Sequence, residues 1–342
     1  MADDTVVFAG LTPHAPILIP GIGGKRLDEV KITVDSMTVL SRRALAFRPD
    51  TLVLISPHSP RHQGAFGVWR TKRLRGSFER FDSTEENVEL PLDTEMVVAI
   101  EREVRSRGLR TWSILDEELD HGATVPLWYL EAAGWHGPTV VLSLAYPGGE
   151  GLGLLGEAIA SAATALGRRT VIIASGDMSH KLTPAAPCGY EPNARIFDQA
   201  FVGLLRRGAY ARLGEIDAHL QESAAEDVVE STLVATAATG GKNDGHEVLS
   251  YEGPFGVGYC VAVLYSKPGL DREDSPPAAK AETENSQPVA KLEELPSLAR
   301  RAIAEHLEGL REIPQISVGG EVALPGCVFV TLYDEQGDLR GC

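Results

Sequence analysis

The sequence predicts an α/β fold with a mostly parallel central sheet flanked by helices, and three observations lead there. Short β-branched runs recur between residues 5 and 266. Most are continuously apolar and do not alternate, as expected for strands covered on both faces. Helix-like stretches separate several of them, and strands alternating with helices favour a parallel sheet. With 342 residues the chain has room for one large domain and something smaller.

In chain order the strand candidates are "TVVFAG" (5–10), "TLVLIS" (51–56), "TVVLSL" (139–144), "TVIIAS" (170–175) and "GYCVAVLYS" (258–266). Helices are expected over 25–48, 95–108 and 153–167, each closing near Arg, Lys or Gly. Another is expected over 222–241, "ESAAEDVVESTLVATAATGG", stopped by its paired glycines. The basic stretch "WRTKRLRGSFER" (69–80) reads as a solvated loop or an edge hairpin. The main domain is expected to span 1–266. Residues 267–290, rich in Pro, Glu, Ala and Ser, read as a flexible linker. Residues 291–342 hold a helix-like stretch and a hairpin turning at "EQGD", an incomplete α+β segment too small for a robust core of its own.

A formal charge of −16 argues against nucleic acid or an anionic membrane as partner, since both need basic patches. No signal-like start is visible, and no apolar run reaches the roughly 20 residues needed to span a bilayer. The four cysteines are scattered without CxxC spacing, which fits a reduced, cytoplasmic compartment.

Residues that carry chemistry gather at strand exits. His14 follows the first strand in "LTPHAP", His58 the second in "SPHSP", and Asp177 and His180 the fourth in "SGDMSH". In a parallel sheet these positions share the carboxyl edge, where open α/β sheets build their sites. Prolines on both sides of His14 and of His58 stiffen the two loops. Two imidazoles holding a divalent ion need an anionic third ligand. On a helix over 222–241, Glu226 shares an apolar face with Val229, Leu233 and Ala237. A carboxylate there is costly unless it is paired or metal-bound, the other reading being a solvated acidic helix start. Glu230, one turn on, competes for the place, and Asp227 is expected to point elsewhere. His121, in "ELDHGATVPLWYL", belongs either to a helix start or to a donor poised over the metal. Asp177 either orients His180 or caps a turn. His62 reads as surface, because Pro60 breaks any HxxxH helix.

The segments "LTPHAPILIPGI", "LVLISPHSP", "LDHGATVPLWYL", "VIIASGDMSH" and "LSYEGPFGVGYCVA" together resemble the class III extradiol dioxygenase superfamily (LigB-like). Within it they look most like the Memo-like protein B of the AmmeMemoRadiSam system. The tail "GCVFVTLYDEQGDLRGC" resembles the start of an AMMECR-type domain. The resemblance implies Fe(II) held by His14, His58 and Glu226, with His180 as acid/base residue and His121 near substrate and oxygen. It implies an oxidoreductase acting on a small catechol-type aromatic with O2. Relatives often carry Glu-Cys-Gly at the third ligand; this chain has Glu226-Asp227-Val228, and without a thiolate iron is favoured over copper or zinc. Two other functions compete. One is a metal-binding Memo-like partner of a radical SAM protein that cleaves no catechol. The other is a zinc hydrolase, since two histidines and a carboxylate with an open position also suit catalytic zinc.

Overall fold

The computed structural model describes residues 5–115 and 117–269, together with the backbone of two short strands near the C-terminus. The chain divides into two units, Met1–Ser275 and Pro276–Cys342. In the second unit the described strands, Leu332–Tyr333 and Leu339–Gly341, pair antiparallel, with Leu332 opposite Gly341. The rest of the segment expected over 291–342, and the linker expected over 267–290 beyond residue 269, lie outside the described residues.

Among its described residues the first unit carries ten strands. They are β1 (Val6–Thr12), β2 (Thr51–Ser56), β3 (Phe66–Trp69), β4 (Arg73–Ser77) and β5 (Asn87–Pro91), then β6 (Thr111–Ile114), β7 (Thr139–Ser143), β8 (Thr170–Ser175), β9 (Glu247–Glu252) and β10 (Tyr259–Ser266). The helices are α1 (Pro20–Gly23), α2 (Lys31–Ala46), α3 (Thr94–Ser106), α4 (His121–Ala132), α5 (Leu152–Leu166), α6 (Ala194–Arg206), α7 (Ala218–Ala224) and α8 (Val229–Ala238). Eight strands form one sheet in the order β6-β3-β7-β2-β8-β1-β10-β9. Its centre, β7-β2-β8-β1, is parallel throughout. Antiparallel β10 and β9 close one side, and β3 with β6 the other. The basic stretch forms part of a separate antiparallel hairpin, β4 with β5, with Arg73 opposite Pro91.

Every residue of β1, β2, β7 and β8 is buried, which explains their unbroken apolar runs. Alternate side chains serve opposite faces. Val53, Ile55, Ile172 and Ala174 join a core with Met96 and Ile100 of α3, Leu155 and Ile159 of α5, and Val234 of α8. Leu52, Leu54, Val171 and Ile173 join a second core with Met37 and Leu40 of α2 and Leu127 and Leu130 of α4. Each such Val, Leu, Ile or Met side chain contributes roughly 1.5–3 kcal/mol of burial. With both faces covered, the strand ends at the carboxyl edge are left to carry polar chemistry.

The helix expected over 222–241 is two helices. α7 stops at Ala224 because Ala225 takes a left-handed conformation, φ +53°, and α8 begins only at Val229. Residues 225–228 are therefore a turn, and helical spacing says nothing about where Glu226 and Asp227 point.

Candidate metal centre

Three neighbouring parallel strands, β1, β8 and β2, deliver His14, Asp177 and His58 two residues beyond their last residues. His121 arrives from another direction as the first residue of α4, behind the N-cap Asp120. The three imidazoles pack together: ring centroids are 4.7 Å apart for His14 and His58, 5.4 Å for His14 and His121, and 4.3 Å for His58 and His121. Their ligand nitrogens lie within 4.8 Å of one another and could hold a metal ion. His121 thus stands within the cluster and not merely over it.

The carboxylate that meets them is Asp227. Its Oδ2 lies 3.0 Å from His58 Nε2 and 3.5 Å from His14 Nε2. Donors about 3 Å apart suit neighbouring positions around an ion with bonds of about 2.1 Å. Asp177 fixes the orientation. Its N–H donates to Asp227 Oδ1 at 2.7 Å, and its carbonyl accepts the Asp227 N–H at 3.2 Å. The two segments can approach because residue 176 is glycine: a Cβ there would fall 2.4 Å from Val228 Cα. Glu226, expected as the third ligand, is engaged elsewhere. Its Oε2 accepts the N–H groups of Val228 and Val229 at 2.7 and 2.9 Å, capping α8. That corrects the expectation drawn from one continuous helix, and with it the expectation that Asp227 points away. Glu230, the other competitor, pairs with Arg61 at 2.9 Å.

His14 is held by two contacts. Its N–H donates to Asp177 Oδ1 at 2.9 Å, and its Nδ1 lies 2.9 Å from Ser175 Oγ. Its Nε2 is buried and has no hydrogen-bond partner. A buried imidazole nitrogen left unpaired is uncommon, and an ion is one of the few partners that accounts for it. That orphan, two more imidazoles and a carboxylate make a donor set that fits a divalent cation. The electrostatics agree. Burial opposes charge on His14, yet Asp177 and Asp227 overcome it and push its pKa up to about 9. Burial, with His14 and His58 adding to it, pulls His121 down to about 4. Burial works against charge on Asp227 too, but His14 and His58 hold it far below the usual carboxylate range.

A cavity of about 320 Å³ reaches His14, His58, His121, Asp177 and His180, and is walled by Ile17, Phe255, Val257 and Tyr259. His180 Nδ1 donates to the Ala225 carbonyl at 2.7 Å, so its Nε2 carries the lone pair when the ring is neutral. The group orienting His180 is therefore that carbonyl. Asp177, read in the sequence either as that group or as a turn cap, spends its hydrogen bonds on His14 and Asp227.

Residues 8–262 match the family model described as the catalytic LigB subunit of aromatic ring-opening dioxygenase. The chain belongs to the LigB family. Its matched span includes the three clustered histidines, Asp177, His180 and Asp227. This LigB-family chain is 30% identical over 350 aligned positions to Protein CA_C1420 of Clostridium acetobutylicum, covering 97% of the chain and 73% of that protein. It also aligns with the crystal structure of JW3007 from Escherichia coli K12, at 16% identity and a TM-score of 0.49, over 75% of this chain and 98% of that one. The LigB family is typically metal-dependent, in keeping with the histidine cluster. None of the described helices is long and apolar enough to cross a membrane.

Two supporting acids went unread in the sequence. Asp120 caps α4 by accepting the Ala123 N–H, and it also accepts the hydroxyls of Ser56 and Ser59 at 2.6 Å each. One carboxylate thereby ties the His58 loop to the helix that presents His121. An Asp directly before a helix start was its available signal. Asp198 of α6 is fully buried and accepts the Ser179 N–H at 2.9 Å and the Tyr251 hydroxyl at 2.6 Å, bracing the loop that carries Asp177 and His180. Burial raises its pKa to about 6, against those hydrogen bonds. The folded state thus prefers the protonated acid, and its contribution to stability is lost as pH rises from about 4 through about 6. Urea unfolding of wild type and Asp198→Asn at pH 4 and pH 7 is expected to show the difference moving in favour of Asn by up to about 3 kcal/mol at the higher pH. A difference independent of pH would refute the raised pKa.

Proposed function

We propose that this chain is a non-haem Fe(II)-dependent, extradiol-type ring-opening dioxygenase that acts on a catechol-type aromatic with O2. The observation that carries this reading is Asp227 Oδ2 facing the Nε2 atoms of both His58 and His14. Two imidazoles and one carboxylate form the donor set of non-haem iron oxygenases, with positions left open on the remaining side. In this reading His14, His58 and Asp227 hold the ion. Bound iron supplies the open positions at which catechol oxygens and O2 are brought together.

The chain's own side chains do the rest. His180, fixed through Nδ1, presents Nε2 to the cavity, where it takes a proton from a substrate hydroxyl and later returns it. His121, held neutral by its surroundings, offers a hydrogen bond beside the ion without adding charge. Ile17, Phe255 and Val257 give the aromatic ring an apolar wall. Arg26 stacks over Phe255, its guanidinium carbon 4.2 Å from the ring centroid, and offers a cation to an acidic substituent.

A second reading rests on His121. With its nitrogen inside the cluster, a three-histidine set also suits copper or zinc. The chain would then be a metal-binding partner in a radical-SAM-linked modification pathway, with zinc-dependent hydrolysis a less favoured variant. Anaerobic loading with Fe(II), followed by metal analysis and oxygen uptake with simple catechols, separates these. One iron per chain with catechol-dependent oxygen consumption is the expected result. A fully iron-loaded chain that consumes no oxygen would hand the case to the partner reading, and activity only with zinc to the hydrolase.

A further inference from the structure

The His14 imidazole can meet an ion through Nε2 only if its remaining proton sits on Nδ1, and a chain of contacts controls that proton. Nδ1 lies 2.9 Å from Ser175 Oγ, the last residue of β8. A serine hydroxyl has one proton to give, and here it goes to the Gly122 carbonyl at 2.5 Å, an oxygen that can only accept. Toward His14, Ser175 is therefore an acceptor, and Nδ1 must be the donor. The Gly122 carbonyl is open to the hydroxyl for a covalent reason. Gly122 is the second residue of α4, and the amide that would claim its carbonyl in a regular helix belongs to residue 126, four positions on. Residue 126 is proline and has no N–H. The helix continues past it all the same, to Ala132.

We propose that Ser175 is a positioning residue that fixes the His14 tautomer, and that Pro126 reserves the Gly122 carbonyl for it. A proline inside a helix, ordinarily a defect, here withholds one amide from the Gly122 carbonyl so that a hydroxyl 53 residues beyond that glycine points in a single direction. In the neutral ring that an ion would meet, the hydroxyl in turn leaves the ligand nitrogen of His14 as the bare one, facing the other imidazoles and Asp227. Ser175, Gly122 and His14 are buried together, so water does not compete for these bonds. The inference rests on the metal-centre reading but needs neither iron nor oxygen chemistry.

The test uses the full chain loaded with Zn(II) as a diamagnetic probe, with 15N-labelled histidine followed by NMR and affinity measured by chelator competition. In wild type, His14 is expected to bind through Nε2 and to keep a slowly exchanging proton on Nδ1. Ser175→Ala is expected to release that proton to fast exchange and to weaken Zn(II) binding about tenfold or more. Pro126→Ala gives the helix back its amide. It is expected to keep the melting temperature at or above wild type while weakening Zn(II) binding, a combination that general damage to the fold would not produce. Binding through Nδ1, or wild-type affinity in Ser175→Ala, would overturn the role of Ser175. Wild-type affinity in Pro126→Ala would overturn the role of Pro126. A wild-type chain that shows the expected NMR pattern yet consumes no oxygen with catechols defeats the dioxygenase reading and leaves this one standing. A chain that binds no Zn(II) defeats both.

Discussion

Exchanging Asp227 for asparagine is expected to lower the affinity for a divalent cation by at least about 100-fold, while Glu226→Ala leaves it within about threefold. Partners that only support a ligand are worth 10–100-fold in affinity, so removing the charge of a carboxylate 3.0 Å from one ligand nitrogen and 3.5 Å from another should exceed that range. The asparagine retains an oxygen to accept the Asp177 N–H, so the turn should keep its shape. Glu226, one residue earlier, serves a different task. Its loss leaves the Val228 and Val229 amides uncapped, at a cost of about 1 kcal/mol in stability. Adjacent acids with opposite outcomes make a sharp control. Chelator competition and urea unfolding on both variants check it, and an empty site in Glu226→Ala would restore that residue as the ligand.

Replacing His180 with alanine is expected to reduce turnover by about 100- to 10,000-fold, the usual worth of a positioned acid/base group, with metal content unchanged. The ring faces the same cavity as the cluster, but it is anchored to the Ala225 carbonyl and stands outside the group of nitrogens able to share one ion. Its removal should therefore spare binding of the ion and remove the proton carrier. Metal analysis beside oxygen uptake decides the matter. Loss of the ion along with activity would make His180 a ligand and reverse its assignment.

The gathering of His14, His58, Asp177 and His180 around one cavity was legible in the sequence, for a physical reason. Strands that run parallel must end on one edge, and Pro-flanked turns hold whatever they carry close to the exit. The identity of the carboxylate was not legible. It hinges on Ala225 adopting a positive φ, a conformation no alanine advertises, and periodicity reasoning carried a helix straight through it. The partner of Asp177 was hidden as well, because it comes from a segment 50 residues further along the chain. Among the strands of the large sheet, β3, β6 and β9 escaped notice: β6 and β9 lie at the sheet's margins, only partly buried, and β3 is buried but only four residues long with a glycine inside it.

Gly176 has a consequence beyond its own turn. With the backbone at Val228 already where a side chain would begin, even one methyl group at 176 acts as a wedge between the exit of β8 and the turn holding Asp227. Every donor would still be present and every charge intact, yet the acid would be prised off the imidazoles by mechanical means alone. In the proposed centre, the grip on an ion would depend on one missing carbon as much as on the atoms that would touch it.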